Sequence, residues 1–236
     1  MNKTLILSLL LTVISARAQI IMSNGTVFSG SVSGGYNFVA TGKKCALQVV
    51  GGTNPVQCTW SAAPSVGESI FCGVATFGAA TFAVTDSVPN TYSANGSIFS
   101  GSVSNGHYQL YAAYGITGSP TTSKVTITGT ANYGVISCAS FKSGTAADGA
   151  VGTGTTVGGA SVSATINPTL QSDLAYCFVA VTGTRTISAG PGFILTATAV
   201  PNVTSEYGFL ASSGSQTASA KMDGNASMDM ICGTYE

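Results

Sequence analysis

The chain has 236 residues, of which 44% are hydrophobic and only 7% charged, with 8 basic residues against 8 acidic. Glycine, serine and threonine occur 30 times each. So little charge excludes helices surfaced with Glu, Lys and Arg, so much apolar content excludes a disordered chain, and the absence of clustered Lys and Arg excludes an electrostatic nucleic-acid binder.

Residues 1–18 read as a secretory signal peptide: Lys3 is the basic start, Leu5 to Ile14 the apolar run, and Ala16-Arg17-Ala18 the small-residue cleavage site. The run is shorter than the ~20 residues a membrane-spanning helix needs. A mature chain is expected to begin at Gln19. No later segment has 18 uninterrupted apolar residues, so no membrane span is expected in it. The implied location is secreted, extracellular or cell-surface. Residues 19–40 form a separate N-terminal extended stretch with β-forming residues, a candidate donor strand. It packs either on its own domain or on a neighbour.

An even number of cysteines in an exported chain favours disulfides, and Cys45, Cys58, Cys72, Cys138, Cys177 and Cys232 make six. There is no C-x-x-C and only one histidine, so no metal site and no cofactor are expected. Cys45 and Cys58 flank Gly51-Gly52, a favoured hairpin turn that sets them opposite each other. Pro55 then falls where a ladder N–H is needed, so a wider loop closed by the disulfide is the alternative.

The other four cysteines repeat a pattern. Glu68 stands four residues before Cys72 and Phe71 one before; Asp173 and Tyr176 stand likewise before Cys177. Phe141 follows Cys138 by three residues and Tyr235 follows Cys232 by three. The simplest pairing is Cys72–Cys138 with Cys177–Cys232; pairing across the halves competes.

Strand signals dominate between these points. His107 to Tyr111 and Lys124 to Thr128 alternate apolar and polar residues. Turn chemistry recurs at Asn95-Gly96, Asn105-Gly106, Asp148-Gly149 and Asp223-Gly224. Residues 142–165 are Gly/Thr-rich with almost no large side chain, and read as a linker or as a connection inside one sandwich spanning 41–236. The expected fold is all-β: a disulfide-stapled, jelly-roll-like β-sandwich with two weakly repeated halves.

The run Ala63 to Ile70, then Val84-Thr85-Asp86-Ser87 with Asn90-Thr91-Tyr92, resembles a recurrent secreted bacterial β-sandwich module. Ser188 to Phe193 and Thr217 to Ala220 resemble its second half. Pro89 and Lys221 depart from the module's pattern. The resemblance implies one jelly-roll-like sandwich in an extracellular or surface protein, with no catalytic residues.

The residues offer no catalytic set. His107 lies in an alternating strand, and there is no G-x-S-x-G elbow. Glu68 and Asp173 occupy equivalent strand starts and are not a glycosidase dyad. Asp86 and Asn90, and Asp223, Asn225 and Asp229, have calcium-ligand chemistry but read first as turn formers. Trp60, Tyr92, Tyr111 and Tyr114 are aromatics available to a sugar, or to the core. Sequons stand at Asn24, Asn95, Asn202 and Asn225.

Three functional classes follow. Sparse charge and the N-terminal stretch favour a structural subunit that self-associates by β-strand addition into a filament. The alternative is a monomeric adhesin or carbohydrate-binding module with glycans as partners. A secreted hydrolase ranks last.

Overall fold

The computed structural model describes residues 19–21, 27–29, 38–50, 54–78, 80–129, 133–170, 173–196 and 202–236, the first two stretches as backbone. Every regular element among them is a strand. Residues 1–34 and 35–236 form two compact units. In the first, β1 (Gln19–Ile21) pairs antiparallel with β2 (Val27–Ser29). The signal peptide and the sequon at Asn24 lie outside the described residues.

The second unit opens with a sandwich of two sheets. Its larger sheet contains β3 (Val39–Val50), β10 (Tyr133–Lys142), β5 (Glu68–Phe77), β8 (Gly106–Ala113) and β7 (Ser93–Ser100), in that order. Its smaller sheet orders β4 (Val56–Thr59), β9 (Thr122–Gly129) and β6 (Ala80–Asp86). Between them lies a core that includes Val56, Trp60, Ile70, Val74, Val125 and Ile136. β4 and β9 alternate buried and less buried residues because one face meets water.

The remaining strands repeat this plan. β11 (Ala147–Ile166), β16 (Gln216–Tyr235), β12 (Leu174–Val181), β15 (Val203–Phe209) and β14 (Phe193–Leu195) follow in order, with β13 (Ile187–Ala189) on β16. The long strands β11 and β16 shift register between Thr156 and Ser161. Each thus supplies two arms. The arms of β11 and β16 around Gly152 and Cys232 sit beside β12 and β15. Those around Val162 and Ala220 sit beside β13 and roof the core of Val162, Ile166, Val179, Met222 and Met230. Splitting β11 and β16 at the bend gives the order β3-β10-β5-β8-β7 over again, and β4-β9-β6 over again. Each half is an all-β, jelly-roll-like sandwich.

Two expectations change here. The single sandwich of 41–236 resolves into two. The Gly/Thr-rich stretch 142–165 is mostly strand β11, and its glycines have a steric reason. The strand doubles back, so a Cβ on Gly152 would strike the Thr165 carbonyl and one on Gly154 the Ser163 carbonyl.

The larger sheets of the two sandwiches stack face to face. β5 lies on β12, β10 on β15, β8 on β16 and β7 on β11. Equivalent strands thus exchange places across the contact, the reciprocity of an isologous interface. Sandwiched from both sides, β5, β10 and β12 are buried almost throughout; β5 and β12 carry continuous apolar runs instead of alternation, and β10 buries Ser137 and Ser140 among its apolar residues. The interface core is aromatic: Phe71, Tyr108, Phe141, Tyr176, Phe178 and Tyr235 are all buried in it.

Three disulfides staple the sandwiches. Cys72 and Cys138 are direct cross-strand partners with Cα atoms 4.1 Å apart, and so are Cys177 and Cys232 at 4.1 Å. That close approach is the spacing of non-hydrogen-bonded pairs. Cys45 is bonded to Cys58, but the hairpin expected for them does not form. β3 pairs with β10 and β4 with β9, so this bridge joins the two sheets of the first sandwich. Pro55 precedes β4 and has no ladder bond to break.

Candidate functional site

The inner faces of the stacked sheets part at one end, leaving a cleft of about 290 Å³. Gln48 of β3, Phe77 at the end of β5 and Tyr133 at the start of β10 come from the first sandwich; Thr182 and Asn202 come from the second. The Phe77 and Tyr133 rings stand edge to face, centroids 5.1 Å apart. Gln48 and Asn202 are half-buried where they line it, and their side-chain oxygens, Oε1 and Oδ1, are tucked out of solvent without a hydrogen-bond partner. Backbone bonds pin the second wall: Val181 N–H donates to the Asn202 carbonyl at 2.8 Å, and Thr182 N–H to the Ser227 carbonyl at 2.9 Å. Asn202 holds φ of 76°, in the region asparagine tolerates better than most residues. No Asp, Glu, Lys or Arg is among the described residues lining this cleft.

A smaller cavity of about 110 Å³ lies at the other end of the interface, lined by Lys43, Lys44, Phe141, Leu195 and Tyr207. Lys43 is occupied: its Nζ donates to Glu68 Oε1 at 2.7 Å and to Ser65 Oγ at 2.8 Å. Burial pushes the Glu68 carboxyl up, but Lys43, the Ser65 backbone and Ser140 together hold it below the usual range.

The equivalent acid behaves oppositely. Asp173 is buried beside Asp148, and burial together with that neighbour pushes its carboxyl up to about 7. Asp148 is opposed by burial but held low by Asp173 and by Thr169, whose N–H and hydroxyl both donate to it. Two close carboxyls resist ionising together, which drives the two in opposite directions. Neither lines the clefts described above.

The other residues marked in the sequence have structural positions. Asp86 accepts from Val88 N–H, Asn90 Nδ2 and Tyr92 Oη, while Asn90 Oδ1 accepts from Thr117 and Gly118 N–H, so both organise turns. Asp223 accepts from Thr186 N–H at 2.8 Å. Asp229 is not in a turn; it lies buried on β16 and faces the first sandwich. Trp60 is buried with Nε1 donating to Ser123 Oγ, and Tyr111 donates to the Phe82 carbonyl. Tyr114 packs against the interface core. His107 is half-buried on β8, with Nδ1 unpartnered. The sulfurs of Cys45, Cys58 and Cys138 lie within 4.8 Å of one another, but each is bonded in a disulfide.

The cleft aromatics, Phe77 and Tyr133, escaped the sequence reading. Their signal was position: each lies five residues from a bridged cysteine, Phe77 after Cys72 and Tyr133 before Cys138, hence at matching ends of one ladder. The sequons separate clearly. Asn225 is exposed, Asn202 is half-buried in the cleft, and Asn95 is buried against Gly233 and Tyr235.

No protein-family model, curated protein or solved structure matches the chain. No helix among the described residues is long and apolar enough to cross a membrane.

Proposed function

We propose that this chain is a secreted or cell-surface recognition protein, of the adhesin or carbohydrate-binding kind, that acts without catalysis. One observation carries this reading: the cleft between the sandwiches combines an aromatic pair with two buried amide oxygens that have no partner. Buried polar atoms are nearly always hydrogen-bonded, and two orphans on residues that line one concavity favour a ligand that completes them once those side chains turn toward it. Three disulfides suit an oxidising, extracellular setting. The carboxyls best placed by chemistry for hydrolysis, Asp148 and Asp173, are buried away from the clefts. The test is a glycan array probed with the mature protein. Reproducible binding to any glycan supports the reading, and an empty array overturns it.

Self-association by strand addition is the second reading. The observation favouring it is β11, a 20-residue strand whose only ladder partner among the described residues is β16. The N-terminal stretch is a weaker donor than its sequence suggests, because β1 and β2 already pair with each other. Electron microscopy and size exclusion of the chain from Gln19, beside a form lacking 19–40, decide it. Filaments lost on truncation support donation, and a monodisperse monomer in both samples eliminates it.

A further inference from the structure

We propose that the inter-sandwich cleft takes the end of a neutral saccharide, with Gln48 and Asn202 holding its hydroxyls and Tyr133 with Phe77 meeting its apolar C–H face. This rests on the recognition reading and adds the site and the ligand class.

Each of the two amides presents one oxygen that accepts and one nitrogen that donates. As they stand, Gln48 Oε1 and Asn202 Oδ1 both need a donor. Turning either amide over would demand an acceptor in the same place. A hydroxyl is both donor and acceptor and satisfies either orientation. An ammonium or a carboxylate satisfies only one.

Charge gives the second step. The described lining carries no Asp, Glu, Lys or Arg to neutralise an ion. Bringing an ionised ligand there means desolvating a charge without a partner, which is far more costly than desolvating a hydroxyl. The ligand class is therefore neutral and hydroxyl-rich.

Shape gives the third. Phe77 and Tyr133 meet edge to face at 68°, and both rings' residues line the cleft. A sugar has an apolar C–H face beside its hydroxyls, which fits one aromatic face next to two amides. The volume of about 290 Å³ lies at the lower end of ligand pockets and suits a mono- or disaccharide end.

The walls come from different sandwiches, Gln48, Phe77 and Tyr133 from one and Asn202 from the other. The aromatic interface core holds the two in a fixed relation. That packing fixes the two walls, and the Gln48 and Asn202 side chains turn to present their amide oxygens as the sugar enters.

The experiment titrates the mature protein calorimetrically with glucose, galactose, mannose and N-acetylglucosamine, and with any glycan found on the array. Glucuronate is the anionic control. The variants are Gln48→Leu, Tyr133→Ala and, at the other cavity, Lys44→Ala. Gln48→Leu keeps the volume and removes only the amide. Losing that hydrogen bond weakens binding about tenfold. The same change relieves a buried orphan in the free protein, so its melting temperature stays level or rises. Weaker sugar binding together with unimpaired stability is a combination that a merely structural Gln48 would not produce. Tyr133→Ala abolishes measurable binding, and Lys44→Ala leaves it unchanged. Should Tyr133→Ala not fold, Gln48→Leu decides alone. Glycan binding that both cleft variants retain removes the cleft and leaves the recognition reading standing. Preference for glucuronate removes the neutral class. No binding to any saccharide removes the inference and the recognition reading together.

Discussion

Phe71 and Tyr176, each one residue before the first cysteine of its sandwich's cross-strand bridge, face each other across the interface with ring centroids 6.2 Å apart. The aromatics that follow the second cysteines of these bridges close around them: Phe141 lies 5.6 Å and Tyr235 4.3 Å from the Phe71 ring. An odd offset along a strand reverses the face, so a cysteine pointing into its own sandwich places these aromatics outward, toward the other half. The repeated cysteine pattern is therefore also the code for joining the two sandwiches.

Phe71→Ala is expected to cost about 3–5 kcal/mol, the range for emptying a buried aromatic site. Phe71 is fully buried and central to the interface, so the loss has little room to relax. Urea unfolding followed by tyrosine fluorescence checks it. A change below about 1 kcal/mol would mean that the halves do not stabilise each other through this contact.

Asp229 ties the halves together by polar means. Its carboxylate, on β16, accepts from Ser102 N–H at 2.9 Å, Val103 N–H at 2.6 Å, Tyr108 Oη at 3.0 Å and Thr155 Oγ1 at 2.6 Å. Three of these donors belong to the first sandwich. Asp229→Ala strands buried donors, each costing about 1–3 kcal/mol, so a total of about 3 kcal/mol or more is expected. Asp229→Asn, which keeps one acceptor, should recover part of it. Equal stability of the Ala and Asn variants would show that the acceptor role is not what matters.

Much of this architecture was legible in the chain. The cysteine pattern marked the central strands, and the continuous apolar run from Leu174 to Val181 fitted a strand covered on both faces. What could not be read was distance. Residues 147–166 lack large side chains because the folded strand brings its own carbonyls against Gly152 and Gly154, and composition alone cannot separate that from a linker. The same holds for the cleft. Gln48 and Asn202 are 154 positions apart by their numbering and meet only because the sandwiches stack. Trp60 and Tyr111, whose side chains suited the core better than a sugar, do lie in the core of the first sandwich, with their polar tips bonded to Ser123 and to the Phe82 carbonyl.

Burial sorts the sequons. Expressed in a glycosylating host, the chain is expected to carry glycan at Asn225, which is exposed on the bend of β16. Asn95 is 8% exposed and packs against Gly233, leaving no room for a sugar on its side chain once the sheet has formed. Peptide mapping after enzymatic deglycosylation reads each site. Full occupancy at Asn95 in folded protein would contradict the packing of β7 on the interface.

Loss of a staple should be local in cause and large in effect. Replacing both Cys177 and Cys232 by alanine is expected to cost about 2–5 kcal/mol, since the pair bridges the two central strands of the second sandwich. Mass spectrometry of the parent should find no free thiol, as all six cysteines are bonded. A thiol-reactive label on unreduced, native protein would argue against this pairing.

Stability should fall as pH rises from about 5 to 8. Glu206 is fully buried on β15, opposite Cys177, inside the second sandwich. Burial pushes its carboxyl up to about 8, and the one nearby donor, Gly190 N–H at 3.3 Å, offsets little of that. Asp173 is pushed up to about 7, by burial first and then by Asp148. In the unfolded chain both groups titrate near 4. Between about pH 4 and 8 the folded protein therefore holds protons that the unfolded chain has released. Its stability is fully present below about pH 4 on this account and is lost as pH rises through the folded values, at no more than about 1.4 kcal/mol per pH unit for each group. Glu68 and Asp148 are shifted down, so they act in the opposite direction, but only at more acid pH. Urea midpoints measured at pH 5 and pH 8 test the sign. Glu206→Gln removes a titrating group without changing shape, so it should flatten the slope and stabilise the protein at pH 8 more than at pH 5. A midpoint that rises toward pH 8, or a Gln variant with the parent's slope, would show that Glu206 is not the neutral buried acid its surroundings require.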